Sequence, residues 1–485
     1  MGKVYLIGGG PGAPDLITLK AINALRKCTA ILYDRLSGTE VLKYVNPDAE
    51  IYYCGKEPGC HYKTQEEIND SLVRLAKDGH IVGRIKGGDP YIFGRGGEEG
   101  IALFNEGIEF ETIPGITSPI AALNYGGIPV THRGIAQSFH VFTGKSAKSL
   151  SLDFETIAKL KGTLIFMMSF EQLQNITEGL MKAGMDENTP VGIVMYGTTA
   201  KQKKSIGTLN SIVEKSKLDG IANPCIIAIG KVVELNDSLN WFEKKPLYGK
   251  NVCITRSKEQ SIELIDLISS LGGTATEINS IDFVEKLDEL QSVKDKMSSY
   301  KYIVMTSVNG VKYFFKALKA NNIDIRRVKG EFVSIGKATS KALLDHGIVD
   351  ILEANDFTGE GIVELLKDKI ETKDKILLPR SKQGRKSIVK ALESYGADVD
   401  DIPIYETVQG KNMNVESFKE CDTVVFTSPS TVKNMIGIVG EDELRNKRII
   451  SIGPITSKTL VELGMSFEEC ESSSDEGIIN KLIEK

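Results

Sequence analysis

The seven cysteines of this chain stand at positions 28, 54, 60, 225, 253, 421 and 470, and none of them forms a CxxC pair. An odd number scattered over 485 residues argues against the disulfide framework that staples small secreted domains. Cys54, Cys60 and His61 lie close together. No second ligand pair accompanies them, so a strand-end cysteine followed by a loop is the better reading, and no metal is expected. No apolar run reaches the roughly 18 residues that a membrane span needs. The first residues, MGKVYLIGGGPG, enter a strand at once, without a basic segment leading into a long apolar stretch. Secretion and membrane insertion are therefore not expected, and a cytoplasmic location follows by default. An excess of positive charge is missing too. The formal net charge is -5, which offers no global attraction to nucleic acid or to an anionic membrane. A polyanionic ligand would need lysines and arginines placed locally in a cleft.

What is present is ordinary for a globular protein: 41% apolar and 26% charged residues. The length exceeds what one core serves, and three or four lobes of roughly 100–150 residues are expected. In the first half, short apolar strands at 4–7, 30–33, 81–85, 110–113, 139–142, 164–168, 191–195 and 225–229 alternate with helical patterns. One such helix, 65–77, puts Ile68, Leu72, Leu75 and Ala76 on one face. The alternation predicts α/β lobes with mainly parallel sheets. Ligands of such sheets sit at the carboxyl ends of the strands. The Gly- and Pro-rich segments 8–12, 87–97, 114–118 and 197–199 fall there and are expected to build a site.

Near residue 245 the pattern resets. The polar stretch EKKPLYGKN at 243–251 reads as a linker (244–251) between residues 1–243 and residues 252–485. The second part carries an internal repeat with a period of roughly 120 residues. ITRSKEQ at 254–260 is echoed by LPRSKQG at 378–384, TSVNGVKYF at 306–314 by TSPSTVKNM at 427–435, and SIGKATSKALLDHGI at 334–348 by SIGPITSKTLVELGM at 451–465. Two similar α/β lobes facing a shared cleft are expected. Each block is a strand end, a Gly or Ser turn and a helix start, which aims backbone N–H groups and hydroxyls at anions.

Residues 8–13, GGGPGA, followed by Asp34 at the end of the next strand, imitate a dinucleotide-binding fingerprint with its ribose-binding acid. Pro11 and Pro14 have no N–H to offer a pyrophosphate. The turn is better suited to close backbone approach to a ligand without phosphates.

The motifs VYLIGGGPG (4–12), LYDRL (32–36), GK (55–56), QEEIN (65–69), RIKGGDPYIFGRGGEE (84–99), IPGITS (113–118) and GIPVTHR (127–133) resemble uroporphyrinogen-III C-methyltransferase. The resemblance continues through TLIFMMS (163–169), YGTTAKQ (196–202) and PCIIAIGKVV (224–233). It implies two α/β lobes with S-adenosylmethionine in the cleft between them, contacted by Pro11, Gly87, Gly88, Asp89, Ile92, Thr117, Ser118, Met168 and Gly197. It also implies Asp34 as proton acceptor and Lys56 as proton donor, with Arg95 and Glu98 as alternatives that position or deprotonate the substrate. An arginine base is chemically awkward, so carboxylate binding is preferred for Arg95. Arg35, Lys56, Arg84, Lys86, Arg95 and Arg133 are candidates for the basic lining that a polycarboxylate substrate requires. Arg84 and Lys86 share one face of their strand. Ala13 stands where the family has Asp, and Tyr91 where it has Phe; neither change removes a reacting group. A homodimer through this half is expected.

The blocks ITRS (254–257), TSVNGV (306–311), SIGKAT (334–339), IYET (404–407), FTSPS (426–430) and SIGPIT (451–456) resemble uroporphyrinogen-III synthase, a lyase. The implied reaction dehydrates hydroxymethylbilane and closes it with inversion of ring D. Tyr405 would help the hydroxyl leave, and Ser428 and Thr456 would bind carboxylates. The structural alternatives are a core-packing tyrosine and helix N-caps. Taken together, the resemblances imply a two-lobed tetrapyrrole methyltransferase fold followed by a two-lobed α/β synthase fold. Such a chain makes precorrin-2, a precursor of sirohaem and cobalamin, from small tetrapyrrole substrates. It needs no metal and no nucleic acid. The competing readings are an NAD-dependent oxidoreductase and a tetrapyrrole carrier without turnover. Stabilisation by S-adenosylhomocysteine but not by NAD would exclude the first, and turnover the second.

Overall fold

The computed structural model describes residues 2–34, 39–55, 64–144, 152–410 and 415–484. The first sheet holds β1 (Lys3–Gly8), β2 (Ala30–Tyr33), β3 (Glu50–Tyr53), β4 (Ile81–Lys86) and β5 (Glu109–Ile113), in the order β3-β2-β4-β1-β5. Every pair in it is parallel. Helix α1 (Leu19–Leu25) packs Ala21 and Leu25 against Ile7, Ile31 and Ile85 on one face. Helices α2 (Gln65–Lys77) and α3 (Gly96–Asn105) cover Val4, Leu6, Leu32 and Val82 on the other with Leu72 and Leu103. Helix α2 begins and ends where its periodicity predicts. Thr64 caps it and Glu67 closes a reciprocal capping box, and the buried stripe is Ile68, Leu72, Leu75 and Ala76. Burying each such leucine contributes about 1.5–3 kcal/mol.

The second sheet departs from the expectation of parallel pairing. It holds β6 (Phe139–Thr143), β7 (Thr163–Met167), β8 (Pro190–Met195), β9 (Lys203–Thr208) and β10 (Cys225–Ile229), in the order β6-β7-β10-β8-β9. Only β6 and β7 are parallel; β10 runs antiparallel to both neighbours, and β8 and β9 form an antiparallel hairpin. The short turn between β8 and β9 leaves no room for the crossover that parallel strands need. β9 and β3 are strands that apolar runs do not announce, since KKSIGT and EIYY are polar or mixed.

The polar stretch 244–251 is not a free tether. Leu247 is fully buried and belongs to the core that follows it, with Val252, Ile254 and Leu264. Its neighbour Tyr248 packs on Phe242 and donates from its hydroxyl to the Gln202 carbonyl at 2.5 Å.

β11 (Asn251–Ile254) and β12 (Thr274–Glu277) open the third sheet. The chain then builds the fourth from β13 (Ile281–Glu285), β14 (Tyr302–Met305), β15 (Glu331–Ser334), β16 (Ile351–Glu353), β17 (Lys375–Ser381) and β18 (Asp398–Gln409). It returns to the third with β19 (Thr423–Phe426), β20 (Arg448–Ser451) and β21 (Glu468–Glu469). The orders are β12-β11-β19-β20-β21 and β13-β18-β17-β14-β15-β16. All neighbours are parallel except β13 and β18. The repeated blocks lie at the ends of β11 and β17, of β14 and β19, and of β15 and β20, so the two sheets share one order of equivalent strands. The sequence repeat is nevertheless not the lobe. Each sheet takes one strand pair, β11 and β12 or β17 and β18, from one copy and three strands from the other, and β13 of the first copy adds an antiparallel edge to the fourth sheet. Among the described residues no helix is long and apolar enough to cross a membrane.

Candidate active site

In the first sheet the neighbours β4, β1 and β5 end side by side, and the turns that follow them touch. Gly10 and Gly88 exchange backbone hydrogen bonds, Gly88 N–H to Gly10 carbonyl at 2.7 Å and Gly10 N–H to Gly88 carbonyl at 3.3 Å. Gly115 packs so closely that an added Cβ would stand 2.1 Å from the Gly88 carbonyl oxygen, so no larger residue fits between the two turns. Thr117 and Ser118 come next, within van der Waals reach of Gly88, at the start of helix α4 (Ser118–Tyr125). The Asp89 carboxylate ties these turns together, accepting from Tyr91 N–H at 2.8 Å and Gly115 N–H at 3.1 Å. Asp89 is thus a brace of the turn as well as a candidate ligand acceptor.

The second sheet adds the turn after β8. Gly197 lies against Ala122 of α4, where its own Cβ would be 2.4 Å from the alanine methyl. Thr198 accepts from Ala13 N–H at 3.1 Å through Oγ1, which joins the GGGPGA turn to the YGTT turn. Pro11, Gly87, Gly88, Asp89, Thr117, Ser118 and Gly197 are therefore drawn together by contacts between their turns. Ile92 and Met168 are 43% and 44% exposed, apolar surface that a ligand can cover. Backbone strain gathers here as well: Phe93, Arg95, Met168, Tyr196 and Thr198 all have positive φ. For the β-branched Thr198, φ 75° is costly and held only by its surroundings. The role of Thr198 is not legible from GTT alone.

Asp34 follows β2 with its side chain 30% exposed, and Arg84 Nη2 donates to its Oδ2 at 3.3 Å. Arg84 and Lys86 share one strand face, as expected, but they do not line an open cleft. They are 3% and 4% exposed and converge on Glu99 Oε1 at 3.2 and 2.7 Å. Burial works against the charge of Arg84, and the Glu99 and Asp34 carboxylates more than offset it, so its pKa stands above the ordinary value. Burial and the neighbouring Arg84 hold Lys86 below its ordinary value. Nothing in the run GRGGEE distinguishes Glu99 from its neighbour Glu98, and the two differ only in burial and partners. Glu98 is exposed and takes Arg95 in a bidentate pair at 2.9 and 2.7 Å, which holds its carboxyl below the usual range. Arg133 is exposed beside the His132–Ala136 bridge. Lys56, Arg35, Cys60 and His61 lie outside the described residues. Cys54 is buried, and no cluster of metal-ligating side chains occurs among the described residues.

In the second half, Tyr405 on β18 is 5% exposed, stacks on Tyr313 at 4.9 Å and meets Phe283 edge-on at 5.7 Å. Its hydroxyl lies 3.2 Å from Ser307 Oγ, the cap of helix Val308–Ala320 in the TSVNG block. Burial pushes its phenol up, opposed by the Ser307 hydroxyl. Core packing and a polar contact at a strand-end turn coexist in this one residue. Ser428 is the N-cap of helix Pro429–Val439, accepting from Thr431 N–H at 3.3 Å in a capping box. Thr456 is not a cap. It sits inside helix Pro454–Glu462 and is 2% exposed, because Gly453 occupies the cap position. Arg380, in the LPRS block, is 4% exposed and clamps Asp401 through Nε and Nη2 at 2.7 and 2.8 Å.

The 196–202 turn also reaches the second half. Ala200 N–H donates to Thr274 Oγ1 at 3.1 Å, and Lys201 pairs with Glu420 at 2.6 Å. Gln202 holds the turn to α4, donating to the Tyr125 carbonyl at 3.1 Å and accepting from Thr198 N–H at 3.0 Å.

Comparison with known proteins finds a different family in each half of the chain. Residues 3–213 match the tetrapyrrole (corrin/porphyrin) methylases, and residues 262–480 match uroporphyrinogen-III synthase HemD. The porphyrin biosynthesis protein HemD of Ruminiclostridium josui is 34% identical over 494 residues, covering 100% of this chain and 98% of its own. The uroporphyrinogen-III C-methyltransferase of Priestia megaterium is 49% identical over 238 residues, 49% of this chain and 100% of its own. Among solved structures, the native uroporphyrin III C-methyl transferase of Thermus thermophilus aligns at 36% identity and TM-score 0.42, over 48% of this chain and 100% of its own. The chain belongs to the family of fused porphyrin-biosynthesis enzymes in which a uroporphyrinogen-III C-methyltransferase precedes a uroporphyrinogen-III synthase.

Proposed function

We propose that the second half closes hydroxymethylbilane to uroporphyrinogen III, and that the first half methylates that product at two ring carbons with S-adenosylmethionine, giving precorrin-2. The observation that carries this reading is the meeting of the turns after β1, β4 and β5 with the Gly197 turn, in one chain with the strand-end blocks of a synthase. The residues fit the cofactor. Small residues bring backbone close to one another at the strand ends, a carboxylate is at hand in Asp89, and Ile92 and Met168 offer uncovered apolar surface. Bound there, S-adenosylmethionine supplies a methyl group already activated on a sulfonium. The part of the chain is placement, because in-line attack by a pyrrole carbon depends on orientation. Asp34 takes the proton that the methylated ring must lose, and Lys56 is the proton donor for a ring position whose own proton is lost elsewhere, so that one proton leaves per methyl transferred. Arg95, exposed and paired with Glu98, exchanges that partner for a substrate carboxylate, which leaves Glu98 to position or deprotonate the substrate, and Arg35 and Arg133 bind further carboxylates. In the second half Tyr405 assists departure of the hydroxyl and Ser428 binds a carboxylate. Thr456 is the second carboxylate binder of this half.

The two halves divide near residues 244–251. The chain works in the cytoplasm as a homodimer through its first half, whose Leu19, Ile101 and Phe104 are 80%, 64% and 75% exposed. Sedimentation of the full chain tests the dimer. The decisive experiment supplies hydroxymethylbilane and S-adenosylmethionine to the purified chain and identifies the products. Precorrin-2 is expected. Unmethylated type I uroporphyrinogen alone, the product of spontaneous closure, would refute the proposal.

A further inference from the structure

Four ionisable groups meet at the ends of β2 and β4, three of them sealed from water. Glu99, in the first turn of α3, is fully buried. Its Oε1 accepts from Lys86 Nζ at 2.7 Å, from Arg84 Nε at 3.2 Å and from Gln65 Nε2 at 3.2 Å. Its Oε2 is buried and has no hydrogen-bond partner among the described residues. Arg84 is pinned at three points: Nε on Glu99, Nη1 on the Ile85 carbonyl at 3.0 Å and Nη2 on Asp34 at 3.3 Å. Such an arrangement is a poor way to stabilise a sheet. Buried ion pairs regain little beyond their desolvation cost, and an apolar replacement is often as stable. What the arrangement does achieve is to fix the one member that reaches solvent, Asp34.

We propose that Glu99 is a positioning residue for methyl transfer, a buried anion that sets both the geometry and the net charge facing Asp34. This rests on the reading of Asp34 as proton acceptor. Arg84 and Lys86 bring two positive charges and Glu99 cancels one, so these three side chains together present one net positive charge toward Asp34. That charge orients the Asp34 carboxylate through the Arg84 contact. Among the described residues, the other titratable groups that act on the cluster are the buried Cys54 thiol after β3, which acts on Arg84, and the exposed Glu98 on α3, which feels Lys86.

Opposite charge changes distinguish this role from packing. In the full chain, Glu99→Gln keeps the shape and an acceptor oxygen but adds one net positive charge to the cluster beside Asp34, which favours the carboxylate. The acidic limb of the methylation pH profile moves to lower pH, and kcat falls on the order of tenfold to a hundredfold. Lys86→Met removes a cation, and the limb moves to higher pH. The double variant Lys86→Met/Glu99→Gln restores one net positive charge, brings the limb back and recovers kcat relative to Glu99→Gln. S-adenosylhomocysteine affinity, measured by calorimetry, stays unchanged in all three. Limbs that move the same way, or not at all, overturn the inference, as does a double variant no faster than Glu99→Gln. If Glu99→Gln does not fold, Lys86→Met and the double variant carry the test, and a limb that stays put in Lys86→Met overturns it. Asp34→Asn separates the two levels. If it methylates normally, the reading of Asp34 fails; if it is inactive while the charge variants behave as the parent, only the role of Glu99 fails.

Discussion

Tyr405→Phe separates two roles that the structure superposes in one side chain. The ring is retained, so stacking on Tyr313 at 4.9 Å and the edge contact with Phe283 at 5.7 Å survive. What is lost is one hydroxyl and its 3.2 Å contact with Ser307 Oγ. Ser307 keeps its other bond, accepting from Gly310 N–H at 3.0 Å, so the cap of the helix stays intact. A neutral hydrogen bond of this kind contributes about 0.5–1.5 kcal/mol. If packing were the whole role, the variant would lose about 1 kcal/mol of stability and close hydroxymethylbilane at the parental rate. If the phenol assists the departing hydroxyl, acid–base assistance of roughly 10²–10⁴-fold disappears, equivalent to about 3–5 kcal/mol at about 1.4 kcal/mol per decade. The two outcomes are far enough apart to resolve. The assay follows consumption of hydroxymethylbilane and separates the isomers formed, since slowed enzymatic closure lets spontaneous type I product accumulate. The expected result is a rate lowered by about a hundredfold or more, with type I product rising and the melting temperature changed little. A rate within about threefold of the parent would refute the assistance and return Tyr405 to core packing.

Three further outcomes follow from the geometry. Asp89→Ala removes the acceptor for Tyr91 and Gly115 N–H, and S-adenosylhomocysteine affinity by calorimetry should fall about tenfold or more; unchanged affinity would take Asp89 out of the site. Leu247→Ala empties a fully buried position, costing about 2–5 kcal/mol in the unfolding transition of the second half; an unchanged melt would restore the view of 244–251 as a tether. Asp401→Asn strands the buried Arg380 charge and should cost about 3 kcal/mol at neutral pH. Burial works against the Asp401 carboxylate, but Arg380 and Lys386 outweigh it and hold it below its ordinary value. Its contribution is therefore complete above the unfolded-state value of about 3.9 and lost as pH falls through the lower folded-state one. The parent should consequently lose stability in acid more steeply than Asp401→Asn, as denaturant titrations between neutral and acidic pH would show.

Much of the site was legible because its residues are dictated locally. Glycines at strand ends, a proline-bearing turn and a capped amphipathic helix leave their mark within a few positions, and helix Gln65–Lys77 was readable to the residue. What the sequence concealed depends on distant partners. Arg84 and Lys86 look like a basic lining until Glu99, on another element, is seen to consume their charge. The antiparallel strands of the second sheet look like those of a parallel one, because β7, β8 and β10 are buried on both faces and apolar throughout. Leu247 hides in a run of charged and small residues, and one apolar side chain carries no periodicity. The repeat was visible, but not that each lobe is assembled from pieces of both copies. That is a matter of which strand lies beside which, and block order does not specify it.

The turn at 196–202 has a consequence for the chain as a whole. It holds the Ala13 amide on one side, and Thr274 and Glu420 of the second half on the other. A ligand of the first half that changed how this turn is held would meet the second half through these two contacts, and any effect so produced would be felt equally in the other direction. The fusion is thus joined by more than its covalent link, through a turn that both halves touch.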